Sequence, residues 1–179
     1  MTDMQDGILG LIEKRQSCRS YSTLKVEHDK LISILEAGRL SPSARNSQPW
    51  HLTLAESEHA VSSVGECTRA NGKNGFTVNC SSFIIVSEEE CEAAFGGVAH
   101  RYFAEMDIGM CVMNICLQAE ALGVASCIIG GFDEEKLKCA AGIDKTKNIK
   151  LVIALGYAED GYEVREKNRR TFEQTITII

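Results

Sequence analysis

Apolar residues recur along the chain at two spacings, one typical of amphipathic helices and the other of buried strands. Helical spacing is found at 7–16, about 27–39, about 58–69, about 104–122 and about 134–140. Apolar runs typical of strands lie at 50–55, 82–87, 126–129 and 150–156. The helices are too numerous for a simple repeated βαβ unit. The pattern therefore predicts one α+β domain, 1–179, with a central mixed β-sheet flanked by helices.

The predicted helix at 104–122 is apolar around most of its circumference, with Met106, Met110 and Met113 among its apolar residues. A helix of this kind has to be buried on nearly all sides, and a monomer of this size has difficulty covering it. We expect part of it to pack against a second subunit in a homodimer. The alternative is a central helix enclosed by its own sheet and neighbouring helices.

Two shorter segments also carry local signals. Residues 71–75 contain two Asn and two Gly and predict a turn or mobile loop, because both residue types tolerate positive φ. The tail at 175–179 shows the β-branched alternation of an edge strand. Such a terminal strand could add to the sheet of a partner subunit.

Composition excludes several classes of protein. Of the 179 residues, 44% are hydrophobic and 25% are charged, as in ordinary globular domains. The net charge of −6 argues against general nucleic-acid binding, which requires a basic surface. No apolar run approaches the ~18 residues of a membrane span. The apolar stretch at 7–12 is too short for a secretory signal, so we expect a cytoplasmic protein that binds neither nucleic acid nor membrane.

The chain has eight cysteines, and no two of them are spaced as CxxC. This spacing supports neither a zinc ribbon nor a thioredoxin-like redox pair. Cys111, Cys116 and Cys127 lie in apolar surroundings, where cysteine acts as a small hydrophobic residue. We therefore expect structural thiols and no metal site.

The segment 41–51 contains both prolines of the chain, Pro42 and Pro49. Each proline fixes its own φ and favours extended geometry at the preceding residue. Between them lie small hydroxyl and amide side chains. Such a stiff, nearly uncharged loop suits contact with a flat polar heterocycle. A rigid surface connection is the alternative interpretation.

Two short basic segments lie near opposite ends of this acidic chain. Residues 15–19 read Arg-Gln-Ser-Cys-Arg, and residues 167–170 read Lys-Asn-Arg-Arg. Arginine forms bidentate hydrogen bonds to phosphate, and serine adds a neutral donor. Either segment alone is equally typical of an exposed charged surface. A third candidate is Gly130-Gly131 after a predicted strand, where backbone N–H groups could approach a ligand, or an ordinary turn could form.

Taken together, these motifs resemble the nitroreductase family of FMN enzymes. The resemblance rests on RxSxR, SPSxxNSQPWH, the helix ending AxxLG, GGF, and LGY followed by KxRR, in that order along the chain. It implies that the residues contacting FMN come from four segments. They are Arg15, Gln16, Ser17 and Arg19; Pro42, Ser43, Ala44 and Asn46 from the second subunit; Ile129, Gly130 and Gly131; and Lys167 and Arg169.

Within this set the resemblance also implies separate roles. The cations and Ser17 would hold the phosphate and ribityl chain, Gln16 the ring or ribityl chain, and the 129–131 backbone the ring edge near N5. Some family members have an acidic residue where this chain has Gly130, so any role of that side chain is missing here. Trp50 is expected to pack in the core. For Tyr102 and Phe103 core packing is preferred over a place in the substrate pocket.

The implied activity is hydride transfer from NADH or NADPH through flavin N5 to a small-molecule acceptor such as a nitroaromatic or a quinone. One pocket used alternately predicts ping-pong kinetics. Hydride transfer needs no acid or base from the protein, so no catalytic side chain is nominated. The alternatives are a flavin carrier or sensor, a cysteine-based metal or redox protein, and a family member that performs dehalogenation or flavin fragmentation.

Overall fold

The computed structural model describes residues 5–89 and 98–179. Along these two ranges, helices alternate with strands, and short 3₁₀ turns at Ala44–Asn46, Ala70–Gly72 and Gly75–Asn79 connect some of them. The order of elements is α1 (Gln5–Lys14), α2 (His28–Arg39), β1 (Trp50–Ala55), α3 (Glu58–Thr68), β2 (Ser82–Glu88), α4 (Val98–Ala121), β3 (Ala125–Ile129), α5 (Glu134–Ala141), β4 (Asn148–Gly156) and α6 (Phe172–Thr175).

The four strands form one sheet in the order β1-β2-β4-β3, and all three neighbouring pairs are antiparallel. The α+β class is thus confirmed, but the expected mixed sheet is wrong for these strands. Among the described residues, the one parallel pairing is an isolated bridge between Ser17 and Ser126 at the free edge of β3. Strands covered on both faces read as continuous apolar runs whatever their direction, so the sequence pattern could not distinguish the two arrangements.

Helices cover both faces of the sheet, and successive residues of β2 point to opposite faces. Ile84 and Val86 pack in the core on the side of α2 and α4, whereas Phe83 and Ile85 pack on the side of α3 and α5. All four side chains are almost completely buried. Each contributes about 1.5–3 kcal/mol through its burial. The sheet is therefore a rigid platform held between two hydrophobic cores.

Most predicted elements agree with the structure to within a few residues. The strand at 50–55 is confirmed without change, and 71–75 runs from one 3₁₀ turn to the next, with Asn74 between them at a φ of 50°. The long helix begins earlier than expected, at Val98. In the described ranges no helix combines the length and the apolarity that crossing a lipid bilayer requires.

The predicted strand at 175–179 is wrong within the single chain. Thr175 ends α6, whose first turn is stabilised by the Thr171 N–H donating to Oε1 of Gln174 at 3.1 Å. This local hydrogen bond favours a helical turn over an extended start. Residues 176–179 show no regular structure. Pairing of this tail with the sheet of a partner stays a prediction.

Gly38 lies where α2 packs against α4, and the Gly38→Ala variant is expected to be destabilised by about 1–3 kcal/mol. An added Cβ would lie 2.7 Å from Ile115 Cγ1 and 3.1 Å from Leu52 Cδ1. Ile115 is fully buried, so it has little room to move. The clash outweighs the ~1 kcal/mol that alanine gains over glycine in a helix.

Urea unfolding of the Gly38→Ala variant measures this effect, with Gly10→Ala in α1 as the matched control. No atom lies within 4 Å of a Cβ added at Gly10, so this control should unfold at an equal or higher urea concentration. Equal stabilisation by both alanines would contradict the tight packing of α2 on α4.

Candidate functional site

The first basic segment, 15–19, runs along the free edge of β3 directly after α1 ends at Lys14. The Cys18 N–H donates to the Ser126 carbonyl oxygen at 2.9 Å, next to the parallel bridge between Ser17 and Ser126. The Cys18 side chain is buried in the core on the α3 and α5 side. These contacts fix the backbone of the segment, so the direction of its side chains is set by the sheet.

Most of the second basic segment lies within residues 163–169, which we call the C-terminal strap. Lys167 Nζ donates to the Arg15 carbonyl oxygen at 2.7 Å, and Arg165 Nη2 donates to the Ser17 carbonyl oxygen at 2.8 Å. Gln16 Nε2 donates in the other direction, to the Glu163 carbonyl oxygen at 2.9 Å. The strap therefore lies alongside 15–19, although the two segments are at opposite ends of the chain.

A small cavity of about 260 Å³ lies between the two segments, and we call it the basic cleft. The cleft is lined by every residue that the sequence predicted to bind the phosphate. Two further lining residues, Arg165 and Glu166, were not predicted. The lining residues are Arg15, Gln16, Ser17, Arg19, Arg165, Glu166, Lys167 and Arg169. Five cations and one carboxylate thus face one small volume. Such a cavity is suited to an anion.

Arg15 has an unsatisfied donor and lines the basic cleft. Its Nη1 atom is buried and has no hydrogen-bond partner among the described residues. Burial raises the pKa of the nearby Cys116 thiol, and this rise is partly opposed by a hydrogen bond with Ser126 and by the charge and a hydrogen bond of the Arg15 guanidinium. An unpaired buried donor on a charged group is costly, and an anionic ligand would satisfy it.

The proline-bounded loop is attached to α4 rather than to the basic cleft. Asn114 Nδ2 donates to Ser41 Oγ at 2.8 Å, and Asp107 accepts the Ala44 N–H at 3.1 Å. Trp50 is buried in the core, as expected. Arg45 and Asn46 have φ angles of 54° and 56°, which are sparsely populated for residues other than glycine.

None of the nominated loop residues lines the basic cleft of the same chain; they are Pro42, Ser43, Ala44 and Asn46. Their contribution to the site of a neighbouring subunit stays a prediction.

The paired glycines follow the end of β3, away from the cleft. Gly130 lies four positions after Ser126, which corresponds to about 13 Å along a strand. A Cβ at Gly130 would have only Leu151 within 4 Å, at 3.9 Å, so the backbone here is accessible. Asn74 Nδ2 donates to the Gly131 carbonyl oxygen at 2.9 Å. Ile129 is buried, whereas Gly130 and Gly131 are exposed, so contact of Ile129 with a ligand stays a prediction.

A model of the nitroreductase family matches residues 12–71 and 62–157, which include the first basic segment, the proline-bounded loop and the paired glycines. The chain belongs to the nitroreductase family. An NADH dehydrogenase of Thermus thermophilus is 27% identical to it over 180 residues, covering 83% of this chain and 86% of the relative.

Two further relatives extend this comparison. An oxygen-insensitive NADPH nitroreductase of Helicobacter acinonychis is 26% identical over 202 residues and covers 93% of this chain and 94% of its own. A crystal structure of a nitroreductase with bound FMN, from Bacteroides fragilis, superposes with a TM-score of 0.72 at 25% identity. That match covers 96% of this chain and 98% of the other. The similarity thus extends over nearly the whole chain.

Sequence reasoning missed Arg165 as a lining residue of this nitroreductase-family cleft. Arg165, Lys167 and Arg169 are alternate residues, and all three line the cavity. Their alternate spacing gives no signal on its own, because Glu166, which lies between two of them, lines the cavity as well. Tyr102 was also misjudged, because its side chain is 72% exposed rather than packed in the core, and Phe103 stacks edge-on against it.

The cysteines of this nitroreductase-family chain lie mostly in the two cores. Seven of them are free thiols in the described ranges, and only Cys139 of these is exposed; Cys91 lies outside the described residues. Burial raises the pKa of the Cys111 thiol to about 12, so this thiol stays protonated at neutral pH. A protonated buried thiol is a poor metal ligand and a poor nucleophile.

Proposed function

We propose that this protein is an FMN-dependent oxidoreductase that works as a homodimer and uses NADH or NADPH as electron donor. The observation that carries the proposal is the buried, unpaired Nη1 of Arg15 in a cleft lined by five cations. A phosphate carries close to two negative charges at neutral pH and three acceptor oxygens, which matches this set of donors. The family relationship supports FMN as the source of that phosphate.

The residues fit the phosphate end of the cofactor. Arg15, Arg19 and Arg169 would bind the phosphate, and Ser17 would add a neutral donor. Lys167, which already donates a hydrogen bond to the Arg15 carbonyl oxygen, would add positive charge behind them. The Gln16 side-chain oxygen accepts from Arg165, and one of its amide hydrogens donates to Glu163. A contact of Gln16 with the ring or the ribityl chain stays part of the proposal, through its second amide hydrogen.

The ring would extend from the cleft along β3 toward Gly130 and Gly131. Backbone N–H groups at 129–131 can approach a ligand there because the glycines present no side chain. Donors at the polar edge of a flavin stabilise its reduced form. When bound, FMN would supply the hydride chemistry that links a nicotinamide donor to an acceptor such as a nitroaromatic or a quinone.

A second subunit would complete the site. The proline-bounded loop, which contains the residues predicted to contact the ring, packs against α4. The outer face of α4 is apolar and exposed in the single chain. Dimer formation through α4 would bring the proline-bounded loop of one chain toward the cofactor of the other. The cytoplasmic location expected from the sequence also stays a prediction, and the free buried thiols support it.

Anaerobic mixing of the FMN-loaded protein with NADH or NADPH tests this function. We expect rapid bleaching of the flavin absorbance, followed by return of the colour when a nitroaromatic or a quinone is added. Free FMN at the same concentration is the control. Bleaching no faster than that of free FMN would favour a flavin carrier or sensor, and failure to bind FMN would refute the proposal.

A further inference from the structure

We propose that Arg165 and Gln16 form a clip that holds the C-terminal strap in register beside 15–19, and that this clip gives the basic cleft its selectivity for a phosphorylated flavin. The inference rests on the function proposed above. It assigns Arg165 as a positioning residue, acting through Gln16 and through the Ser17 carbonyl group.

The hydrogen bonds around Gln16 carry the proposal. Its Oε1 accepts from both Nε and the backbone N–H of Arg165, at 3.1 and 3.2 Å. Its Nε2 donates to the Glu163 carbonyl oxygen at 2.9 Å, and Arg165 Nη2 donates to the Ser17 carbonyl oxygen at 2.8 Å. One amide and one guanidinium thus join two segments 149 positions apart with four hydrogen bonds. The planar fork of arginine can reach both acceptors, whereas the single ammonium of lysine cannot.

Electrostatics explains why such a clip is needed. Five cations and one carboxylate, Glu166, line a cavity of about 260 Å³, so the strap is repelled by the cations of the opposite segment when no anion is bound. The acceptors used by Arg165 are an amide oxygen and a carbonyl oxygen, which hold the strap without consuming the positive charge. The cleft is therefore assembled before the anion arrives, and preorganisation of this kind lowers the cost of binding.

The clip also sets the positions of the other strap cations. Lys167 and Arg169 follow Arg165 by two and four residues and line the same cavity. Without the clip, Lys167 and Arg169 would no longer be held opposite Arg15 and Arg19. Displacement of Lys167 and Arg169 should weaken binding of the phosphate end of the ligand and leave contacts along β3 unchanged.

Dissociation constants for FMN and riboflavin, measured by fluorescence quenching, test the clip. We expect Arg165→Leu to weaken FMN binding by about 10- to 100-fold and riboflavin binding by less than about twofold. Arg165→Lys keeps the charge but loses the fork, so it should resemble Arg165→Leu. The control is Arg170→Leu, which removes the same charge next to the strap and should leave both constants nearly unchanged.

A double-mutant cycle separates action through Gln16 from direct charge. In a Gln16→Ala background, Arg165→Leu should add less than about threefold to the FMN constant, because the two residues act as one unit. In the FMN-free protein, amide hydrogen exchange at 163–169 should be faster in Arg165→Leu than in Arg170→Leu.

Three results would overturn the clip while leaving the proposed function standing: full rescue by Arg165→Lys, additive losses in the cycle, and equal losses for FMN and riboflavin. Failure of the unmodified protein to bind FMN would instead refute the proposed function.

Discussion

Replacing Arg15 and Arg169 together by alanine should yield a folded protein that is purified without flavin. The two guanidinium groups come from opposite ends of the chain and line the same cleft. Hydrogen bonds to charged groups contribute about 1.5–3 kcal/mol each, so losing one strong interaction at each site costs about 3–6 kcal/mol. That corresponds to a loss of roughly 10²- to 10⁴-fold in affinity for FMN.

The fold should tolerate this double substitution. Arg15→Ala removes a buried nitrogen that has no partner among the described residues, so the free energy of unfolding of the FMN-free protein should not fall on that account. The carbonyl group of residue 15, which binds Lys167, is retained in the variant. Thermal unfolding of FMN-free samples and the visible absorbance spectrum of the purified proteins check both expectations.

The matched control is Lys14→Ala combined with Arg170→Ala. It removes the same two charges at neighbouring positions that do not line the cleft, and it should retain its flavin. Equal loss of flavin from both double variants would show that the net charge of the region, rather than the lining arginines, governs binding. Full flavin content in the Arg15 and Arg169 variant would contradict the phosphate assignment itself.

The sequence was informative about the fold wherever the signal was local. The strand at 50–55 was placed without error because it is a short apolar run directly after the loop that contains both prolines. Strand direction was predicted wrongly because β2 is buried on both faces, which erases the alternation that marks antiparallel strands. The tail at 175–179 misled because β-branched residues favour strands only when a neighbouring strand is available.

The sequence predicted which two segments form the candidate site but missed how individual residues within them are paired. The convergence of 15–19 and 167–170 followed from the order of family motifs, and residues of both segments line the cleft. Arg165 was missed because one more cation in a charged stretch carries no signal without its partner, Gln16. The unpaired state of Arg15 depends on what surrounds the side chain, which the sequence does not contain. The convergence of the two segments was thus predictable from the family motifs, whereas the individual hydrogen bonds between them were not.

Charge introduced on the outer face of α4 should abolish both the dimer and its activity. Tyr102, Met106 and Met110 are 72%, 53% and 45% exposed in the single chain, and α1, which contacts α4, adds further exposed apolar residues. They are Ile8, Leu9 and Ile12. A contiguous apolar surface of this kind is typical of a subunit interface. A two-fold interface contains each substituted residue twice, which doubles the effect of a substitution.

The Met106→Lys and Met110→Lys double variant would place four ammonium groups in the dimer interface, each costing several kcal/mol to desolvate. We expect a folded monomer with less than about a hundredth of the NADH- or NADPH-dependent activity, because the proline-bounded loop of one chain could no longer reach the cofactor of the other. Size-exclusion chromatography with light scattering gives the oligomeric state. Val78→Lys is the control, since Val78 is also exposed, at 69%, but lies beside α3, and it should remain an active dimer. An unmodified protein that is active as a monomer would overturn the shared site.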